Sequence, residues 1–173
     1  MRLIQTILLL GVVFSLYGFA PNKDAARIFG NMTYFISQPT YEPRIQKVTL
    51  VNGKFQKLYL DVYYEGKYAY GDFNHDGLKD AAVVIMENFG GNADYYKLAF
   101  LINDGRKLVY RASYYLDTWA IVNSVRAKNG KVIVDMYVHQ EGDCNAGPSK
   151  RVRNVYEYSG QNIFGLQKKK NKA

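Results

Sequence analysis

Six consecutive apolar residues, Ala81 to Met86 (AAVVIM), stand between two polar, glycine-bearing stretches, GDFNHDGLKD and ENFGG. A short, uniformly apolar run fits a strand covered on both faces, so this segment is expected at the centre of a sheet. After ENFGGNAD the chain can return antiparallel to it as Tyr95 to Ile102 (YYKLAFLI). Asn103-Asp104-Gly105 makes the next turn, and Lys107 to Leu116, Trp119 to Ala127, Lys131 to His139 and Val152 to Tyr158 continue the series. Asn129-Gly130 and Ser159-Gly160 supply further turns.

Upstream, Lys47 to Val51 ends at Asn52-Gly53, a pair that readily takes positive φ and closes a tight hairpin. Leu58, Leu60, Val62 and Tyr64 alternate with Tyr59, Asp61 and Tyr63, the pattern of a half-buried strand. Asp24 to Asn31 reads as a brief helix with Asp24 as its cap. Sixteen Tyr and nine Phe among 173 residues agree with strands, whose pleated surface packs broad rings well. The expected fold is mainly β: a single antiparallel β-sandwich or strongly bent sheet of eight or nine strands, with a short N-terminal helix after a signal segment.

That signal segment is residues 1–20, MRLIQTILLLGVVFSLYGFA, with one early charge at Arg2, a long apolar stretch, and small residues at Gly18 and Ala20. It reads as a cleaved export signal, with an uncleaved anchor as the alternative. No cysteine lies near its end, so the thiol needed for bacterial lipid anchoring is missing. One domain is expected over 21–166, followed by a basic tail at 167–173 carrying Lys168, Lys169, Lys170 and Lys172. Cys144 is the only cysteine, which excludes a disulfide within one chain and leaves an exported domain in need of another cross-link.

The stretch GDFNHDGLKDAAV offers one. Asp72, Asn74 and Asp76 occupy alternate positions, Gly77 permits a sharp turn, and Asp80 returns a fourth oxygen side chain. Calcium is a hard cation that takes six to eight oxygens, and alternate side chains on a curled backbone converge on one point. Asp72, Asn74, Asp76, Leu78 through its carbonyl, and Asp80 are the candidate metal ligands. His75 falls between them at a position expected to point away, since imidazole prefers softer metals. Without a cation the acids repel one another by roughly 1 kcal/mol per pair in water.

This loop resembles the calcium loops of FG-GAP and VCBS-type repeats, in which D-x-[DN]-x-[DN]-G-x-x-D precedes a strand rich in small residues. The resemblance implies the same five ligands. It departs from an EF-hand, because the twelfth loop position is Val83 rather than Glu. The wider chain is similar to small exported bacterial β proteins that carry one such loop, a Gly-Gly hairpin and a late VDM-x-x-H segment before a Pro-containing loop.

Catalytic patterns are weaker. His75 and His139 are the only histidines, and neither sits in a triad or zinc motif. Asp61, Glu65, Glu87, Asp117, Asp135 and Glu141 offer carboxylates for glycoside hydrolysis without ordering any pair. Tyr63-Tyr64, Tyr95-Tyr96 and Tyr114-Tyr115 each put one ring on either face of a strand, so three rings are candidates for contact with a ligand. The expected role is non-enzymatic: a periplasmic or secreted bacterial protein with structural calcium that binds a partner protein or an envelope polysaccharide. The alternative is a hydrolase of cell-wall or extracellular polysaccharide. Export argues against nucleic acid, and membrane association is expected only through an uncleaved N-terminal segment or the basic tail.

Overall fold

The computed structural model describes residues 23–37, 45–144 and 147–160, so the apolar segment 1–20 and the basic tail 167–173 lie outside the described residues. The chain runs α1 (Lys23–Phe29), β1 (Thr33–Ser37), β2 (Ile45–Thr49), β3 (Lys54–Lys57), β4 (Leu60–Gly71), β5 (Asp80–Asn88), β6 (Asp94–Asn103), β7 (Leu108–Thr118), β8 (Ile121–Lys128), β9 (Lys131–Val138) and β10 (Lys150–Glu157). These strands form three antiparallel sheets: β1-β2, β3-β4-β5-β6-β7 and β10-β9-β8. The described residues are mainly β, with one short helix ahead of the strands. Among the described residues no helix is long and apolar enough to cross a membrane.

β5 is the middle strand of the largest sheet, and both of its faces are covered. Ala81, Val83 and Ile85 meet Phe29 of α1, Tyr34 and Ile36 of β1, and Val48 of β2 in one core. Ala82 and Val84 meet Val132, Val134 and Met136 of β9 in a second. An uninterrupted apolar run is what a strand shared by two cores requires, because the side chains from Ala81 to Ile85 have no outlet to water on either face.

Three readings from the sequence are corrected. α1 starts at Lys23, so Asp24 lies inside its first turn rather than before it. Asn52 and Gly53 do take positive φ, 52° and 86°, and join Val51 to Lys54 by a single bridge. The strands on either side then part, β2 pairing with β1 and β3 with β4. The tip of this turn docks on the end of α1: Gly53 N donates to Gly30 O (2.8 Å), and a Cβ on Gly30 would lie 2.8 Å from Gly53 N. Leu58 does not belong to an alternating strand. It is 79% exposed beside Tyr59, whose φ is 63°, and the two form the β3–β4 turn.

β4 carries an irregularity between Tyr64 and Tyr68, where Gly66 has a φ of 70°. Beyond it the strand approaches the three-stranded sheet, and Lys67 Nζ donates to the Asn123 carbonyl (3.3 Å). This carries Gly71 and the residues after it to the β8–β9 turn.

Candidate functional site

The segment between β4 and β5 is held by what it buries. Phe73 points inward, with its ring centroid 5.3 Å from that of Phe100. Around it the backbone curls, with φ of 62° at His75 and 84° at Gly77. The Asp72 carboxylate accepts N–H groups from Asp76 (3.1 Å) and Gly77 (3.0 Å). Asn74 Nδ2 donates to Asp76 Oδ2 (2.7 Å), and Asp76 Oδ1 accepts from Leu78 N (2.8 Å). Asp72, Asn74 and Asp76 therefore share one curl, and the Leu78 side chain is exposed beside them.

Asp80 is placed differently. It is fully buried at the start of β5, where Oδ2 accepts from Phe73 N (2.8 Å) and Oδ1 from Asn103 N (2.8 Å). Its carboxylate fastens the curl to the β6–β7 turn. Among the described residues no group of three His, Cys, Asp or Glu side chains is gathered at one point. The donors on the rim fit a hard cation: all are oxygens, and each carboxylate oxygen that accepts one N–H keeps a second lone pair. Asp80 fits less directly: like Asp72 it holds two backbone N–H groups, but it is fully buried beneath the rim.

His75 turns toward the β8–β9 turn, where a Cβ added to Gly130 would sit 2.4 Å from its Cε1. Asp72, His75, Tyr70, Lys128 and Asn129 line an open depression between the two turns. Lys79 Nζ lies 4.2 Å from the centroid of the Tyr70 ring.

His139, another of the sequence candidates, braces a loop. His139 Nε2 donates to the Cys144 carbonyl (3.1 Å), Nδ1 lies 3.8 Å from Asp117 Oδ2, and the ring stands edge-on to Trp119. With both nitrogens facing acceptors in its own neighbourhood, the imidazole is a clamp for the β9–β10 loop. Asp143 braces the same loop, accepting from Gln140 N (3.0 Å), Ser149 N (2.9 Å) and Ser149 Oγ (2.6 Å). These bonds hold its carboxyl below the usual range. Cys144 is exposed on that loop. Of the tyrosine pairs, Tyr114-Tyr115 divides most sharply, Tyr114 into the second core and Tyr115 outward. Burial and the charge of Asp94 raise the Glu65 carboxyl, and Glu65 and Asp94 in turn raise the Tyr96 hydroxyl beyond the effect of burial.

Two charged clusters escaped the sequence reading. On β9, Val132, Val134 and Met136 face the core, so Lys131, Ile133, Asp135 and Tyr137 face away from it. There Asp135 Oδ1 accepts from Arg151 Nε (3.0 Å) and Asn123 Nδ2 (3.3 Å), and Oδ2 accepts from Arg151 Nη2 (3.0 Å) and Arg153 Nη2 (3.3 Å). The Arg151 bonds, with those of Asn123 and Arg153, hold the Asp135 carboxyl well below the ordinary range. On β5, the fully buried Glu87 has Oε2 2.6 Å from Lys97 Nζ, while neither of its oxygens receives an aligned hydrogen bond. The strict alternation of KVIVDMYV could have exposed the first cluster. Nothing local signals the second, since Lys97 belongs to the next strand.

Comparisons with family models, with curated proteins and with solved structures returned no match to this chain.

Proposed function

We propose that this chain is an exported β domain whose loop at residues 72–80 binds calcium, and that its role is non-enzymatic association with a partner protein or an envelope polysaccharide. The observation that carries the metal reading is the curl itself. Asp72, Asn74 and Asp76 are brought onto one rim by the N–H groups of Asp76, Gly77 and Leu78, with positive φ at His75 and Gly77 setting its direction. These three side chains and the Leu78 carbonyl would hold the ion, with Asp80 completing the set through its remaining lone pairs. Calcium there supplies charge neutralisation to the acids and a cross-link between β4 and β5, which suits a chain with a single cysteine. The apolar segment at residues 1–20 supports export to a bacterial periplasm or beyond.

Calcium is expected to raise the thermal midpoint, and Asp76→Ala to abolish the rise. Saturation to a hundredfold the dissociation constant adds about 2.7 kcal/mol when only the folded state binds. Equal midpoints in chelator and in excess calcium would refute the reading. Polysaccharide hydrolysis is a second reading, favoured by one observation: burial first, and then the neighbouring Asp94, raise the Glu65 carboxyl, the direction a general acid needs.

A further inference from the structure

The outward face of the β8-β9-β10 sheet carries more charge than a solvated surface needs, and its charge is of one dominant sign. Cross-strand partners share a face, so the register defines what stands there. Arg151 and Arg153 pair with Tyr137 and Asp135, Arg126 with Ile133, and Lys128 with Lys131. Five cations, Arg126, Lys128, Lys131, Arg151 and Arg153, thus meet two carboxylates, Asp135 and Glu157. Lys131 is spent on Glu157 as an ion pair.

Asp135 does not cancel the arginines so much as arrange them. It takes two donors from Arg151 and one from Arg153, while the arginine side chains remain 61% and 68% exposed. A guanidinium has five N–H donors in a rigid fork, so each arginine keeps free donors in a fixed orientation, the geometry that suits phosphate. Ile121 and Val155 lie on the same face and are 49% and 50% exposed. Each shares a ladder row with an arginine: Ile121 and Arg151 both pair with Tyr137, while Val155 and Arg126 both pair with Ile133.

We infer that this face docks on the surface of an anionic phospholipid bilayer, its arginines and Lys128 on lipid phosphates and Ile121 and Val155 in the interfacial zone. A soluble polyanion would engage the cations but offers exposed aliphatic side chains nothing in exchange for water. The headgroup boundary of a bilayer receives both, and a sheet face meets it along its whole width. The inference does not rest on calcium in the loop at residues 72–80, although Lys128 also lines the depression beside Asp72 and His75.

The test is co-sedimentation of the full chain, in chelator, with phosphatidylcholine vesicles that contain or lack phosphatidylglycerol. Phosphatidylglycerol is expected to increase binding, and Arg126→Glu with Lys128→Glu to remove roughly tenfold or more of that increase, at about 1 kcal/mol per basic residue. Arg106→Glu with Lys107→Glu, in the exposed β6–β7 turn, makes the same change in net charge and should leave binding as it was. Ile121→Ser with Val155→Ser should weaken binding to vesicles but not to a soluble polyphosphate. Circular dichroism verifies that each variant is folded. Equal losses in the two charge variants, no preference for phosphatidylglycerol, or tighter binding to duplex DNA than to vesicles at the same salt would each overturn the inference. Chelator separates this outcome from a failure of the calcium reading, which shows in the melting temperature instead.

Discussion

Glu87 is a carboxyl shut away from water, and among the described residues its counter-charge is Lys97 on the neighbouring strand. Burial pushes its pKa up from 4.5 to about 7, with the Lys97 charge pulling the other way. Because the folded value lies above the unfolded one, the stability linked to this group is fully present below about 4.5 and is lost as the pH rises through about 7. Lys97 also reaches the Ser37 carbonyl of β1 (3.4 Å), so the pair ties the small ribbon to the central sheet. Lys97→Met is expected to cost about 3–5 kcal/mol above neutrality, where the carboxylate is stranded, and clearly less in mild acid, where it takes up a proton. Urea unfolding at both pH values measures this, and an equal loss at each would refute it. Replacing both residues with apolar ones of similar volume should be neutral or stabilising. None of this was legible in the sequence. Glu87 follows the apolar run as if it opened the polar loop, and its burial is tolerable because of a lysine diagonal to it on the neighbouring strand, where Lys97 pairs with Ile85.

Between β4 and β5 the spacing of acids and glycine announced a curl, and the backbone has one. The role of Asp80 was not announced. Its position in the motif suggested a metal ligand, and its two oxygens also fasten Phe73 and Asn103 beneath the rim. Asp80→Ala is expected to cost about 2–4 kcal/mol even in chelator, since two backbone N–H groups lose a charged acceptor. Asp76→Ala, on an exposed residue, should cost far less under the same conditions. Comparable melting temperatures for the two variants in chelator would sink this assignment. The other turns show the same division. Asn52-Gly53 and Asn129-Gly130 take the positive φ that their chemistry favours. Which strands Asn52-Gly53 separates depends on pairing elsewhere, with β1 and β4 each claiming one side. Leu58 fitted the alternating pattern by coincidence, because four residues of β3 pair back onto the start of β4 and force a turn between them.

Across the molecule, one sheet serves two cores, so the two are expected to melt together. Phe29→Ala in the first core and Phe100→Ala in the second are each expected to cost about 3–5 kcal/mol. Both should shift a single transition in which Trp119 fluorescence and far-ultraviolet circular dichroism coincide. Separated transitions in either variant would show that the cores are independent. The shared sheet was foreshadowed by AAVVIM, since only a strand enclosed on both sides can lack polar side chains for so long. Strand content, the central place of β5, the Asn-Gly turns and the curl at residues 72–80 follow from local chemistry: side-chain periodicity and the φ preferences of Asn and Gly act over a few residues. The division into three sheets, the burial of Glu87 and Asp80, and the arginine-lined face of β8-β9-β10 were decided only by the tertiary structure. Each depends on which distant strand lies alongside, and that choice is made by the packing of whole faces rather than by any short stretch of chain.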